Sequence, residues 1–233
     1  VGYLIDLGVA KTNKYASRES GDTVEVVERP AGGLSVVVAD GQGSGRAAKA
    51  LSLLVTAKAT TMLQDGVRDG AVARGVSDAL FAMRHGQVSA TLDILSVDPR
   101  AELLLATRWS SAPMLAGGAG ALAIVPCASG PLGVRGLARP EVRSWPLAAG
   151  FWVIVATDGV AGSLAAEDRN LLALACRLSL EAEAQAVADG LLRQAIARDN
   201  GKPRDDMSVV ALRIGEHADD PRIRRLAVRM PLP

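Results

Sequence analysis

Three stretches of this chain are apolar at nearly every position, and each meets an acidic residue at one end: Leu34–Gly41, Phe151–Gly159 and Asp205–Ile214. A short apolar run without alternation is how a strand reads when both of its faces are covered. Each run therefore belongs inside a layered core. The carboxylates of Asp40, Asp158 and the Asp205-Asp206 pair then sit at strand ends. Strand ends far apart in sequence can converge on one edge of a core, and hard divalent cations take oxygen ligands arranged in that way. The pattern predicts a metal edge suited to phosphate chemistry.

At 233 residues the chain is long enough to bury a substantial core as one domain, expected over residues 1–216, with a basic tail over 217–233. Aromatic residues are only 3% of the sequence, so Val, Leu and Ala make most of the core. A formal charge of +1 argues against a nucleic-acid partner. No apolar run reaches membrane-spanning length and no basic-then-apolar leader opens the chain, so the expectation is a cytoplasmic protein without membrane contact. Two cysteines, Cys127 and Cys176, do not make a disulfide framework, and Cys176 reads as core filler on a helix.

Along the chain, strands are expected at Leu4–Val9, Thr23–Glu28 and Leu34–Ala39. Helices follow over Arg46–Gln64, with Leu51, Leu54, Val55 and Met62 on one face, and over Asp69–Arg84, striped by Val72, Val76, Ala79, Leu80 and Met83. Ala90–Val97 alternates, Asp98-Pro99 turns, and Glu102–Arg108 returns as a hairpin partner. Short strands follow near Met114, Leu122–Val125 and Glu141–Trp145, and Phe151–Thr157 is another buried strand. Helices are expected around Asp168–Leu178 and from Leu180 to Asp199, and Ser208–Ile214 is the last core strand. Many strands with helices inserted in two pairs predict an α+β fold. Beyond Glu216, Leu226, Val228 and Met230 alternate, as in an edge strand, a dimer contact or a disordered end.

The loop Asp40–Gly45 follows a strand and opens a helix, which suits an anion at the helix N-terminus. Its spacing matches neither the dinucleotide fingerprint nor the P-loop. As a metal motif it works better: Asp40 can bridge two cations through its two oxygens, and Gly41 lets its carbonyl turn inward as a further ligand. A glycine-rich turn carrying a solvated Asp is the plain alternative. Asp158-Gly159 repeats the design, however, Asp205-Asp206 directly precedes a strand, and Asp22 follows Ser20-Gly21 just before another.

Those segments resemble the metal-dependent 2C-type (PPM) protein serine/threonine phosphatases, most closely the SpoIIE-like branch. The matching motifs are Ser20-Gly-Asp22, the run ADGQGSG ending at Gly45, Ala90–Leu95, Gly130-Pro-Leu-Gly133, Ala156–Val160 and Asp205–Val210, in family order from about Gly21 to Ile214. The resemblance implies a four-layer αββα sandwich of two antiparallel sheets flanked by helix pairs, with two Mn²⁺ or Mg²⁺ ions at one edge. Asp40 would bridge them, Gly41 would offer its carbonyl, Asp158 and Asp205 would complete one ion's ligands, and Asp22 would lie beside the other. Asp206 is the alternative to Asp205, since neighbours in an extended segment point opposite ways. Paired cations of this kind lower the pKa of a shared water and orient the phosphate for in-line displacement, so Asp40 and Asp158 are also the expected catalytic residues.

Two positions depart from the wider family. Gln42 stands where many 2C-type enzymes carry a His, and an amide cannot act as a general acid. The phosphate-binding Arg has no counterpart at matching spacing, and Arg18 is the nearest candidate. His85 and His217 lie outside the motifs. Asp93 faces away from Leu92 and Ile94 and reads as a solvated or hydrogen-bonded strand Asp or as a neighbour of the site. Trp109 and Trp145 fit a core or a partner surface. The implied substrate is a phosphorylated regulatory protein of a bacterial partner-switching circuit, with the helices Arg46–Gln64 and Asp69–Arg84 as a switch joined to the metal edge only by the Asp40–Gly45 loop. A phosphatase-like binding module that has lost turnover is the rival reading.

Overall fold

The alternation between period-2 and period-3.6 segments resolves into ten strands and five helices over the residues described by the computed structural model: 2–30, 32–112, 114–127, 129–134, 139–161, 167–218 and 223–229. The N-terminal half supplies β1 (Gly2–Thr12), β2 (Asp22–Glu28), β3 (Leu34–Gly41), α1 (Gly45–Gln64), α2 (Asp69–Arg84), β4 (Ala90–Asp98) and β5 (Leu103–Trp109). The C-terminal half adds β6 (Met114–Gly118), β7 (Ala121–Val125), β8 (Glu141–Pro146), β9 (Phe151–Ala156), α3 (Asp158–Ala161), α4 (Glu167–Glu181), α5 (Ala184–Arg198) and β10 (Met207–His217).

The strands form two five-stranded antiparallel sheets, ordered β1-β10-β9-β6-β7 and β2-β3-β4-β5-β8. Three apolar clusters fill the spaces between four layers. Val36, Val38, Leu95, Leu104, Val153, Val210 and Leu212 meet between the two sheets. The opposite faces of β3 and β4, through Val37, Ala39, Leu92 and Ile94, pack on Val55, Leu63, Val72 and Leu80 of α1 and α2. Trp152, Ile154 and Val209 pack on Val187 and Leu191 of α5 and Ala175 of α4. Residues of one strand thus divide between two clusters, which explains why the central strands lack alternation. The expected α+β sandwich with helix pairs on its faces is the fold observed.

Several local expectations change. Ala90–Val97 is buried on both faces rather than on alternate residues, because β4 lies between β3 and β5 and under α1 and α2. Met83 leaves the apolar stripe of α2 and is 49% exposed, while Ala73 is buried. Leu180 belongs to α4 and is exposed, so α5 begins only at Ala184, where Asp6 Oδ2 of β1 accepts from the Ala184 N–H at 2.9 Å. The single-turn α3 follows directly from Asp158. Trp109 is buried, and Trp145 packs against Phe151 with ring centroids 5.8 Å apart, both in core surroundings. Residues 223–229 form no regular element, and Leu226 and Val228 are exposed; Met230 lies outside the described residues.

Candidate functional site

The antiparallel register places Asp22 of β2 directly opposite Asp40 of β3. Both share the face of Val36 and Val38, so their carboxylates enter the space between the sheets at one end of the sandwich. The second sheet brings its own strand ends to the same place. Thr157, just beyond β9, and Ser208 of β10 donate hydroxyl hydrogen bonds to Asp22 Oδ2 at 3.0 and 2.7 Å. Asp22 is fully buried, and its other oxygen, Oδ1, has no hydrogen-bond partner among the described residues. Burial raises its pKa to about 6, against the lowering effect of the Ser208 and Thr157 hydroxyls.

Asp40 sits among four carboxylates. Burial first, then the charges of Asp22, Asp158, Asp205 and Asp206, push its pKa up to about 8. Asp158 opens α3 and is raised too, by burial and by Asp205, partly offset by N–H groups of the turn. A cleft of about 30 Å³, lined by Asp40, Thr91, Asp93, Ser110, Thr157 and Asp158, lies among these residues. It has the size of one water or one ion. Among the described residues, no three acidic, histidine or cysteine side chains are drawn together closely enough to hold an ion as they stand.

Both Asp-Gly corners depend on close backbone approach. A Cβ on Gly41 would lie 2.2 Å from the Ala48 carbonyl oxygen of α1, and one on Gly159 would lie 2.1 Å from the Asp206 carbonyl oxygen. The first contact corrects the expectation that α1 reaches this edge only through the 40–45 loop. Lys49 of α1 also donates to the Asp22 carbonyl and to Thr23 Oγ1, each at 2.9 Å, and Lys11 of β1 donates to the same carbonyl at 2.9 Å.

Asp205 and Asp206 behave differently. Asp206 is buried, with Oδ1 accepting from Lys14 N–H at 2.9 Å and Oδ2 from Gly21 N–H at 2.8 Å, so it clamps the loop before Asp22. Asp205 is half-buried and, among the described residues, accepts the N–H of Asp206 alone, at 2.9 Å. Arg18 lies exposed on the clamped loop. Gln42 is exposed too; its Oε1 accepts from the Ser89 N–H at 2.9 Å and hydroxyl at 3.2 Å. Asp93 is not solvated: it is buried and paired with Arg108, whose Nε donates at 2.9 Å.

Sequence reading had no role for Thr157, Ser208, Lys11, Lys49 or Arg108. Thr157 and Ser208 lie inside quoted motifs, and polar residues within otherwise apolar strand segments were the available signal. The lysines carried none, since the partner they share is a main-chain oxygen.

Two antiparallel sheets between helix pairs, with acidic strand ends at one edge, are the architecture of a PP2C-type phosphatase domain. The solved PP2C phosphatase domain of SpoIIE from Bacillus subtilis, with a fragment of its regulatory domain, superposes with a TM-score of 0.82 at 24% identity, covering 93% of this chain and 65% of that one. The catalytic domain of the serine/threonine protein phosphatase PstP, solved with two manganese ions, gives a TM-score of 0.71 at 16% identity, covering 92% of this chain and 100% of that one. The chain belongs to the SpoIIE family, whose stage II sporulation protein E model matches residues 30–215. It is 25% identical over 214 residues to stage II sporulation protein E of Bacillus subtilis strain 168, which covers 91% of this chain and 26% of that protein. The chain thus spans about a quarter of that relative's length.

Proposed function

We propose that this domain is a metal-dependent phosphoserine/phosphothreonine protein phosphatase, working with two Mn²⁺ or Mg²⁺ ions. The observation that carries the reading is the Asp22–Asp40 pair: two facing carboxylates, Asp40 half-buried and Asp22 fully buried with one oxygen that nothing among the described residues satisfies. Buried anions crowded together are costly unless a cation joins them. The donor set is all oxygen, which suits Mg²⁺ or Mn²⁺. Asp40, the Gly41 carbonyl, Asp22, Asp158 and Asp205 would hold the ions. Asp206 is the weaker candidate, because both of its oxygens already accept main-chain N–H groups.

Bound there, the cations would supply an activated water and charge neutralisation for the phosphate. The chain's own residues do the positioning. Thr157 and Ser208 fix one oxygen of Asp22 and leave the other turned free. Asp206 holds the loop that carries Arg18, which we assign to the substrate phosphate. Gln42 has no proton to give, and its carbonyl oxygen is committed to Ser89. The proposed substrate is a phosphorylated regulatory protein of a bacterial partner-switching circuit, the setting the SpoIIE-like resemblance implies. Removing its phosphate takes away about two negative charges and so changes which partner binds. No described helix is long and apolar enough to cross a membrane, and we assign the domain to the cytoplasm.

The absence of an acid at position 42 and the open spacing of the carboxylates favour one rival, a binding module with little turnover. Mn²⁺-dependent hydrolysis of p-nitrophenyl phosphate separates the two, with Asp40→Asn and Asp158→Asn as controls. The phosphatase reading expects activity that needs the metal and falls on the order of a thousandfold in Asp40→Asn, since cation stabilisation supplies several kcal/mol. Hydrolysis indifferent to both substitutions overturns the site, and no hydrolysis with any metal supports the binding module.

A further inference from the structure

The rim of the acidic edge carries the opposite charge. Two loops meet there, 13–20 after β1 and 199–206 before β10, and hydrogen bonds join them into one platform. The Tyr15 N–H donates to the Pro203 carbonyl at 2.8 Å, and the Lys14 N–H donates to Asp206 Oδ1 at 2.9 Å. Pro203 is buried where the loops join.

The platform sorts its charges by sign. Asp199 and Asp206 are buried and Asp205 is half-buried, and Asp199 Oδ2 accepts the Arg204 N–H at 2.8 Å. Lys202 and Arg204 stand exposed between those acids, Arg18 is exposed on the facing loop, and Lys14 is half-buried there. Among the described residues none of the four has an ion-pair partner. Glu19 is the one exposed acid of the two loops. The chain's formal charge is only +1, so the excess of cations is local. Tyr15 stands among them, 59% exposed, with the Lys202 ammonium 5.2 Å from its ring centroid. Burial does not explain a tyrosine held there, whereas Tyr and Arg are residue types that protein interfaces favour.

We propose that this platform docks an acidic segment of the substrate phosphoprotein, beside its phosphorylated residue. The inference rests on the phosphatase reading and names a feature of the substrate. Arg204 and Lys202 lie one and three residues before Asp205, so their backbones are within roughly 10 Å of a proposed ion ligand. An extended peptide advances about 3.3 Å per residue. With its phosphate at the ions, acids about two to four positions away would lie over Lys14, Lys202 and Arg204, and an apolar side chain would cover Tyr15. Crowded carboxylates repel an incoming phosphate group; cations on the rim offset that repulsion and steer an acidic partner to the edge.

The test compares three phosphoserine peptides, with Asp, Ala or Lys at the flanking positions, as substrates of the full chain with Mn²⁺. The Asp peptide should exceed the Ala peptide in kcat/KM by roughly tenfold, through KM and not kcat, with the Lys peptide lowest and the differences shrinking at high salt. Lys202→Gln combined with Arg204→Gln should erase the preference while hydrolysis of p-nitrophenyl phosphate and the melting temperature stay at the parent's values, since both side chains are exposed. A second measurement needs no turnover. In chelator-containing buffer, a fluorescein-labelled Asp peptide without phosphate should bind saturably by anisotropy, and roughly tenfold more weakly to the double variant. If p-nitrophenyl phosphate is not hydrolysed, the phosphatase reading fails, and weaker peptide binding by the double variant still upholds a surface for an acidic partner. The proposal is overturned by equal kcat/KM for the Asp and Ala peptides, or by a double variant that keeps the preference or binds the labelled peptide like the parent. It is also overturned by an equal loss on p-nitrophenyl phosphate and on the Asp peptide, or by oligouridine RNA binding the platform more tightly than the labelled peptide.

Discussion

Asp93 and Asp22 lie on the same sheet, face the same intersheet space and are both almost completely buried, yet the protein treats them in opposite ways. Asp93 receives Arg108, whose Nε and a terminal nitrogen donate to its two oxygens at 2.9 and 3.4 Å. The same guanidinium donates to the Ala112 carbonyl and so ties down the loop that follows β5. Asp22 receives two hydroxyls on one oxygen and, among the described residues, nothing on the other. Burial raises the pKa of both; Arg108 opposes the rise at Asp93, while Lys11 and the two hydroxyls oppose it at Asp22. A carboxylate with its counter-charge built in belongs to the scaffold. One left open at a strand end, facing another carboxylate, is the kind we propose receives a cation.

Breaking the scaffold pair should have the largest effect on stability. Arg108→Met leaves Asp93 buried and unpaired and should cost about 3–5 kcal/mol, read by urea unfolding of the metal-free protein. Adding Asp93→Leu should recover most of that loss, because an apolar pair of similar volume replaces the ions. If the single variant unfolds at the parent's midpoint, Asp93 is not held by Arg108. Asp22→Asn should do the reverse. The amide keeps an oxygen for Thr157 and Ser208 and removes a buried charge, so the metal-free protein should be as stable as the parent or slightly more so. Mn²⁺ affinity, by calorimetry, should fall by about 10–100-fold. A clear loss of stability with intact Mn²⁺ binding would move Asp22 into the scaffold class.

What could be read in the sequence divides along the same line. Strands whose two faces are both covered announce themselves as continuous apolar runs, so β3, β9 and β10 were legible together with the acids at their ends. The two-sided burial of β4 was not, because Thr91, Asp93 and Ser96 break its apolar run although Asp93 and Ser96 are buried. Asp93 itself could not be separated from a solvated residue, since its partner lies across a hairpin and no local pattern marks Arg108. Boundaries near Leu180 were misread because an apolar residue at a helix end looks the same whether it begins a stripe or hangs into solvent. Lys11 and Lys49 were invisible for a different reason: hydrogen bonds to a main-chain carbonyl carry no residue-type signature.

Asp205 and Asp206 divide in the same way within one dipeptide. Asp206 resembles Asp93 in being fully committed, to the N–H groups of Lys14 and Gly21, while Asp205 resembles Asp22 in keeping oxygen free. Asp206→Ala removes two charge-assisted bonds and should destabilise by about 3 kcal/mol. Asp205→Ala removes one local bond and should cost about 1 kcal/mol or less, yet lower metal-dependent activity far more than Asp206→Ala does per unit of lost stability. The reverse pattern would exchange the two assignments.

Gln42 gives the smallest expected effect and tests whether an unusual residue beside Asp40 is structural or chemical. Its Oε1 accepts two hydrogen bonds from Ser89, and its own N–H donates to the Ser89 carbonyl at 3.0 Å, which links the start of the 42–45 loop to the residue preceding β4. Gln42→Ala keeps the main-chain bond and loses only side-chain bonds on an exposed loop, about 1 kcal/mol at most. An amide has no proton to lend a leaving group, so kcat with an aryl phosphate should stay within about twofold, the small change expected when no acid–base group is removed. A fall of a hundredfold in kcat with unchanged stability would show that position 42 takes part in the chemistry. The side chain would then belong with Asp22, among the groups kept open for function, and not with Asp93.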